Sequence, residues 1–464
     1  MDAQGPIKNL RLKAVMDEAG VKNKSLARLM QAYQPPGGKP QVRTSHTNIG
    51  KYLRREIAQP SPSTCEVMCA VLSGLVGRPI SNADLGFEEA ATSTPSVGTF
   101  SYPATAAQSF SDLEGLTRLR SGADLLVYPQ AWSELLVKAM FGTEPGNVVE
   151  IAGRVGEVEV QAARDALAMF SSFDYRYGGG QSKLLVARFL ETAVLPRVRF
   201  ASPESSLGHE YLCIAAALTR LAGWTAYDVG EHGLAQRYLT HGFRLAKAAG
   251  DRALCGRMLA GMSHQANFLG HYDDAVHLAR GAQHISAGFA TPTAMALFHA
   301  MEARGLASCG DQKGTAAALA AAEEYLLKRE PQNDPDWIKY FDESELHAEM
   351  AHCFRDLDRP ELAINFAQSS LAEVDGLYVR SSLFVRTVFA TAQIQARELD
   401  QAVDAARLIV DAVSELNSHR LVCYVADFNS RLRRSAGSVP LADSFSDYAF
   451  QKLGSKGFPA PLTA

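Results

Sequence analysis

The chain has 464 residues, 47% of them apolar and 21% charged, with a formal net charge of −4. That balance belongs to ordinary folded domains, two or three at this length, and excludes a disordered or fibrous chain. The opening residues, MDAQGPIKNLRLK, hold no apolar signal core, and the most apolar stretch, Cys213–Trp224, is broken by Arg220; a cytoplasmic protein with no membrane partner is expected.

The charge is unevenly placed. Residues 1–60 carry eleven Lys and Arg against four acids, a net +7, which leaves −11 for the rest. A basic head on an acidic body suits a head that meets nucleic acid. Within it Leu10, Leu12, Val15 and Met16 predict a first helix that Gly20 ends. Ser25–Met30, entered through Asn23, predicts a second. The Pro- and Gly-rich run Gln34–Gln41 reads as a loop. A third helix follows Thr44 and Ser45 over His46–Arg55, with Ile49, Tyr52 and Leu53 as its apolar spine, and Pro60–Pro62 opens a fourth.

This order fits a helix-turn-helix domain with a widened turn, over residues 1–90. A recognition helix offers its N-terminal polar side chains to base edges in the major groove of double-stranded DNA. The expected DNA face is Arg43, Thr44, Ser45, His46, Thr47, Asn48, Lys51, Arg54 and Arg55. Asn48 suits adenine, while Arg and Lys suit phosphate or guanine.

Residues 91–156 read as linker and connector: Ala90–Ser111 is rich in Ser, Thr and Ala, and one helix is expected at Trp132–Met140. A first hairpin follows, with helices at Val158–Ser172 and Lys183–Val194 around a turn at Gly178–Gly180. Five small residues then keep a register: Gly223, Ser263, Ala303, Ala351 and Ala390, spaced by 40, 40, 48 and 39 residues. Twelve positions after each comes another: Ala235, Ala275, Thr315, Ala363 and Ala402. Such a period marks stacked helical hairpins touching at small side chains, an α-solenoid over 157–436. Gly230, Gly270 and Gly310 fall at the interhelical turns, and Arg329–Trp337, with Pro331 and Pro335, absorbs the longer third step. Ser418–Arg434 reads as a terminal capping helix, and 437–464 as a frayed tail.

Nothing in the sequence assembles a catalytic site, so no enzyme, cofactor or metal is expected. The twelve histidines are scattered without an HExxH, and the seven cysteines form no CxxC. Two polar clusters interrupt the alanine-rich repeats: Gln236 and Arg237 with His264 and Asn267, and Asp342 near Trp337 and Tyr340. They are candidates for a groove that takes a small molecule, peptide or protein effector. The competing reading is that they cap turns and satisfy backbone inside the solenoid.

Several runs carry a resemblance. Thr44-Ser-His-Thr-Asn-Ile-Gly-Lys-Tyr-Leu-Arg54, Pro60-Ser-Pro and Gly77-Arg-Pro-Ile-Ser-Asn-Ala-Asp-Leu-Gly86 stand in the head, with Phe173-Asp-Tyr-Arg-Tyr-Gly-Gly-Gly180, Gly223-Trp-Thr-Ala-Tyr-Asp228 and Met262-Ser-His-Gln-Ala266 in the body. Together they resemble actinobacterial transcriptional regulators that join an Xre-like helix-turn-helix to tetratricopeptide repeats. The head departs at Tyr52-Leu-Arg-Arg55, where such regulators often have Trp-Leu-Arg-Gly. The resemblance implies a regulator of development or secondary metabolism. The expectation is then an all-α DNA-binding homodimer, cytoplasmic and nucleoid-associated when bound. Its rival is an interaction adaptor whose basic head binds protein or RNA.

Overall fold

The computed structural model describes residues 8–33, 44–54, 57, 60, 62–76, 80, 84–87, 100, 102–103, 106–141, 154–372, 378–436 and 440–459. Among these the chain is helical and holds no strand. It divides into two compact units, Met1–Thr94 and Pro95–Ala464.

Among its described residues the first unit packs four helices: α1 (Leu10–Glu18), α2 (Asn23–Ala32), α3 (His46–Arg54) and α4 (Pro62–Val76). Asn9 starts α1 by accepting from Leu12 N at 3.1 Å, while its amide donates to the Leu85 carbonyl at 3.0 Å. Gly20, at φ +65°, turns the chain after α1, as expected of a helix C-terminus. Leu12, Leu26, Ile49, Met68 and Leu72 are wholly buried, one stripe from each helix, and form the centre of the core. The backbone N–H groups of Lys8 and Asn9 donate to the Leu53 carbonyl, pinning the segment before α1 to the end of α3.

The second unit opens with α5 (Ala106–Thr117), α6 (Pro129–Phe141), α7 (Glu157–Tyr177) and α8 (Gly179–Phe189). A π-helical turn at Leu190–Val194 leads into α9 (Leu195–Val198). Hairpins follow: α10 (Ser206–Asp228) with α11 (His232–Ala249), α12 (Arg252–Phe268) with α13 (Tyr272–Ser286), and α14 (Pro292–Ser308) with α15 (Gln312–Leu327). After a 3-10 turn at Pro331–Asn333 come α16 (Glu343–Asp356) with α17 (Pro360–Ala372), and α18 (Val379–Gln395) with α19 (Leu399–Glu415). The last helices are α20 (His419–Ala436) and α21 (Pro440–Leu453).

The register holds in three dimensions. Each of its small residues is buried where the two helices of a hairpin meet. Ser263 Oγ donates to the Ala275 carbonyl across one pair at 2.7 Å, and a Cβ on Gly223 would stand 3.1 Å from the Cβ of Tyr238 in another. Seven residues after each register residue the chain turns through positive φ: Gly230, Gly270 and Gly310, then Asp358 at +54° and Arg397 at +70°. The third step is lengthened by the 3-10 turn, where Asp334 is buried and accepts from Thr293 Oγ1 at 2.7 Å.

Four expectations need correction. Residues 91–99, 101, 104–105 and 142–153 of the expected linker and connector lie outside the described residues; the rest is not simply a connector, because α5 packs on α11 and α6 on α13. Tyr102 sits edge-on to Phe243, and Ser109 Oγ lies 2.8 Å from His241 Nδ1. The small-residue composition hid a segment whose sparse aromatics and hydroxyls attach it to the body. Of the expected tail 437–464, the described residues 440–459 are not merely frayed, since α21 buries Phe445, Ala449 and Leu453 against α19 and α20. Helix α20 is therefore not the last helix. Gly179 and Gly180 open α8, leaving Gly178, at φ +84°, to make the turn.

Candidate functional site

In the first unit, α3 divides sharply. Ile49, Tyr52 and Leu53 face the core, while Ser45, His46 and Thr47 at its N-terminal end are exposed. Asn48, Lys51 and Arg54 are half-buried along the flank. Ser45 Oγ accepts from the Asn48 N–H at 3.3 Å, so this hydroxyl starts the helix. Arg54 curls back over its own helix: a Cβ added to Gly50 would stand 3.1 Å from its Nη1 and 3.5 Å from Asn23 Nδ2. Thr44 is a correction, for its side chain is buried and its carbonyl accepts from Gln31 Nε2, so it does not belong to the exposed face. Arg43 and Arg55 lie outside the described residues.

In the second unit, α7 and the helices α10, α12, α14, α16, α18 and α20 enclose a cavity of about 110 Å³. Among the described residues five arginines line it, Arg220, Arg257, Arg304, Arg380 and Arg420, with three acids, Asp174, Glu345 and Glu349. Arg380 forks onto Asp174 at 2.8 and 2.9 Å and reaches Asp228 at 3.3 Å. Asp228 also accepts from Ser418 Oγ at 2.9 Å and stands 3.7 Å from Arg420. This buried network ties α7 and α10 to α18 and α20, some two hundred residues later. Arg304 pairs with Glu349 at 2.5 Å. Arg420 lies over the rings of Tyr227, Phe384 and Trp224 at 4.4, 4.5 and 5.2 Å.

Arg220 differs from these. It is 8% exposed and, among the described residues, makes no hydrogen bond or ion pair. Desolvation, then the neighbouring Arg257, push its pKa down to about 10. Arg257, 6% exposed, donates to the Tyr340 hydroxyl at 3.0 Å and, among the described residues, its Nε has no partner. Burial, then the surrounding arginines, hold His264 and His352 well below the usual histidine range, so both are neutral at pH 7. Glu345 moves the other way: burial, then the adjacent Glu349, raise it to about 8.

A second cavity, of about 310 Å³, shares His264, Arg304 and Tyr424 with the first and adds Asn267, Arg355, Asp356 and Arg431. The structure thus brings His264 and Tyr340 to the first cavity, and His264 with Asn267 to the second. His264 Nδ1 lies 2.9 Å from the Tyr227 hydroxyl, and Asn267 Oδ1 is buried with no partner among the described residues.

The other groove candidates have structural work. Gln236 holds both the N–H and the carbonyl of Tyr128, at 2.9 and 2.8 Å. Arg237 donates to the Leu126 and Gly233 carbonyls beneath the rings of Phe100 and Tyr128. Both therefore fasten the segment between α5 and α6 to the outer helix α11. Trp337 packs against the core, and Asp342 is the exposed N-cap of α16.

Most of the cavity wall escaped the sequence reading, although the register held a signal for it. The residue after each of the first four register positions is Trp224, His264, Arg304 and His352, and all four line the cavity. Six positions before the last four stand Arg257, Leu297, Glu345 and Phe384, which line it too. The two offsets differ by seven residues, close to two helical turns, and so fall on one face.

A family model described as the SP15 N-terminal domain matches residues 12–88, close to the bounds of the first unit. No curated protein matches the chain. Among the described residues no group of three or more His, Cys, Asp or Glu side chains is placed to hold a metal. None of the described helices is long and apolar enough to cross a membrane.

Proposed function

We propose that the protein is a sequence-specific DNA-binding transcriptional regulator, in which the first unit is a helix-turn-helix with α3 as recognition helix and the second is a tetratricopeptide-type solenoid that takes an effector and supports a dimer. One observation carries this reading. The exposed polar side chains of α3 gather at its N-terminal end, opposite an apolar spine locked into a four-helix core, within a segment of net +7. Recognition helices meet base edges with that end. The resemblance of the head and repeat motifs to actinobacterial regulators points the same way.

Band-shift titrations of the full chain over a random duplex library, at several salt concentrations, test it. A selected duplex should bind far more tightly than the bulk, with affinity falling as salt rises. Lys51→Ala should weaken every sequence and flatten the salt slope by about one unit. Asn48→Ala should cost about 1–3 kcal/mol at one base position alone. Equal binding to all duplexes, or preference for single-stranded RNA, would favour the adaptor instead. Sedimentation of the full chain on a two-fold site reads the dimer directly.

A further inference from the structure

We propose that the cavity inside the second unit is a binding site for a small organic oxyanion, a carboxylate or phosphate monoester, whose charged group sits between Arg220 and Arg257 and whose apolar part lies along Leu297 and Met301. The inference deepens the effector part of the reading above. It is measured without DNA, so a head that binds no duplex and a cavity that binds no anion are separate results.

The charge distribution makes the case. Of the five guanidinium groups on the wall, three are committed: Arg304 to Glu349, Arg380 to Asp174 and Asp228, and Arg420 to Asp228 and the aromatic rings. Arg220 and Arg257 have no carboxylate within ion-pair distance among the described residues, yet both are more than nine-tenths buried. An unpaired cation out of water is strongly unfavourable, and two side by side more so. Such a pair persists where a bound counter-ion supplies the missing charge. The planar guanidinium fork fits the oxygens of a carboxylate or phosphate.

The rest of the wall sets the size and class. His264 and His352 are neutral and add no charge, and Glu345, raised to about 8, is largely protonated at pH 7. The wall therefore favours an anion at neutral pH. Trp224, Tyr175 and Tyr340 supply flat surfaces beside the arginines, while Leu297, Met301 and Ala260 supply apolar ones. A cavity of about 110 Å³ admits a head group with a small ring or a few carbons and excludes a folded peptide segment.

The test uses the full chain with four probes: benzoate, phenyl phosphate, inorganic phosphate and the uncharged benzyl alcohol, followed by thermal shift and calorimetry. Benzoate or phenyl phosphate should raise the melting temperature and benzyl alcohol should not. The comparison of benzoate, phenyl phosphate and inorganic phosphate separates carboxylate from phosphate recognition. Arg220→Gln should weaken the binding anion at least tenfold. Without ligand it should melt no lower than the native chain, because it removes an unpaired buried charge, so loss of binding is separable from loss of fold. Arg164→Gln, on the exposed face of α7, should bind as the native chain does. No response to any anion, or an equal response in Arg220→Gln, would overturn the proposal.

Discussion

Glu345 stands at the cavity wall where Glu349 and Asp342 on its own helix oppose its ionisation, and Arg257 from α12 and Arg304 from α14 favour it. Desolvation and Glu349 prevail, and the acid is raised to about 8. A carboxyl raised in the folded state holds its proton more tightly there than in the unfolded chain. Its stabilising contribution is complete below the ordinary carboxylate range and is lost as pH rises through about 8. The melting temperature of the native chain should therefore fall between pH 6 and pH 9 more steeply than that of Glu345→Gln. Identical pH profiles for the two proteins would show that Glu345 ionises as an ordinary surface acid. Arg220 and Glu345 share one physical cause, burial of an ionisable group beside a like charge.

At the scale of the element, the helical hairpins are set by two recurring positions. The small register residue fixes how closely two helices approach. Ala303→Leu should overpack α14 against α15 and cost about 1–3 kcal/mol, whereas Leu at the exposed Gln401 of α19 should cost little. Equal denaturation midpoints for the two variants would contradict the register. The residue seven places later turns the chain through positive φ. A Cβ at Gly270 meets nothing within 4 Å, so Gly270→Ala tests the backbone alone and should cost about 1–2 kcal/mol. Arg397 already occupies that region at φ +70°. Arg397→Gly should leave stability unchanged or raise it by up to about 1 kcal/mol, a sign opposite to that at Gly270. Urea titration of both variants reads the two signs.

Over the whole second unit, the buried network around Asp174 and Asp228 closes the row of first helices on itself. Arg380 and Asp174 are 5% and 1% exposed at their side chains, and they join α18 to α7. Without the Asp174 carboxylate, Arg380 keeps only Asp228, which Arg420 and Ser418 already share, so a buried network is left short of one negative charge. Asp174→Asn should therefore cost about 3–5 kcal/mol, read by urea denaturation, and should lower protection from hydrogen exchange in α7, α18 and α20 together. Glu210→Gln, which breaks the exposed pair with Arg164, should change stability by less than about 1 kcal/mol. A small cost at Asp174, with protection lost in one helix alone, would show that the network does not clasp the array.

The sequence by itself determined what is local and periodic. The four head helices follow from apolar spacing and Gly20, and the hairpins follow from the alternation of small residues and turn glycines. His264 and Tyr340 were legible as polar interruptions of an alanine-rich pattern. The partners of buried charges were not legible, because pairing depends on distance in space: Asp174 meets Arg380 across 206 residues and Asp228 meets Ser418 across 190. For the same reason the sequence leaves Gln236 and Arg237 open between a groove and backbone satisfaction, and the chain near Tyr128, folded onto them, decides for the second. Only the tertiary structure decides which of five arginines are neutralised. A helical period places a side chain on a face, but its charge environment is set by whatever the other helices bring against that face.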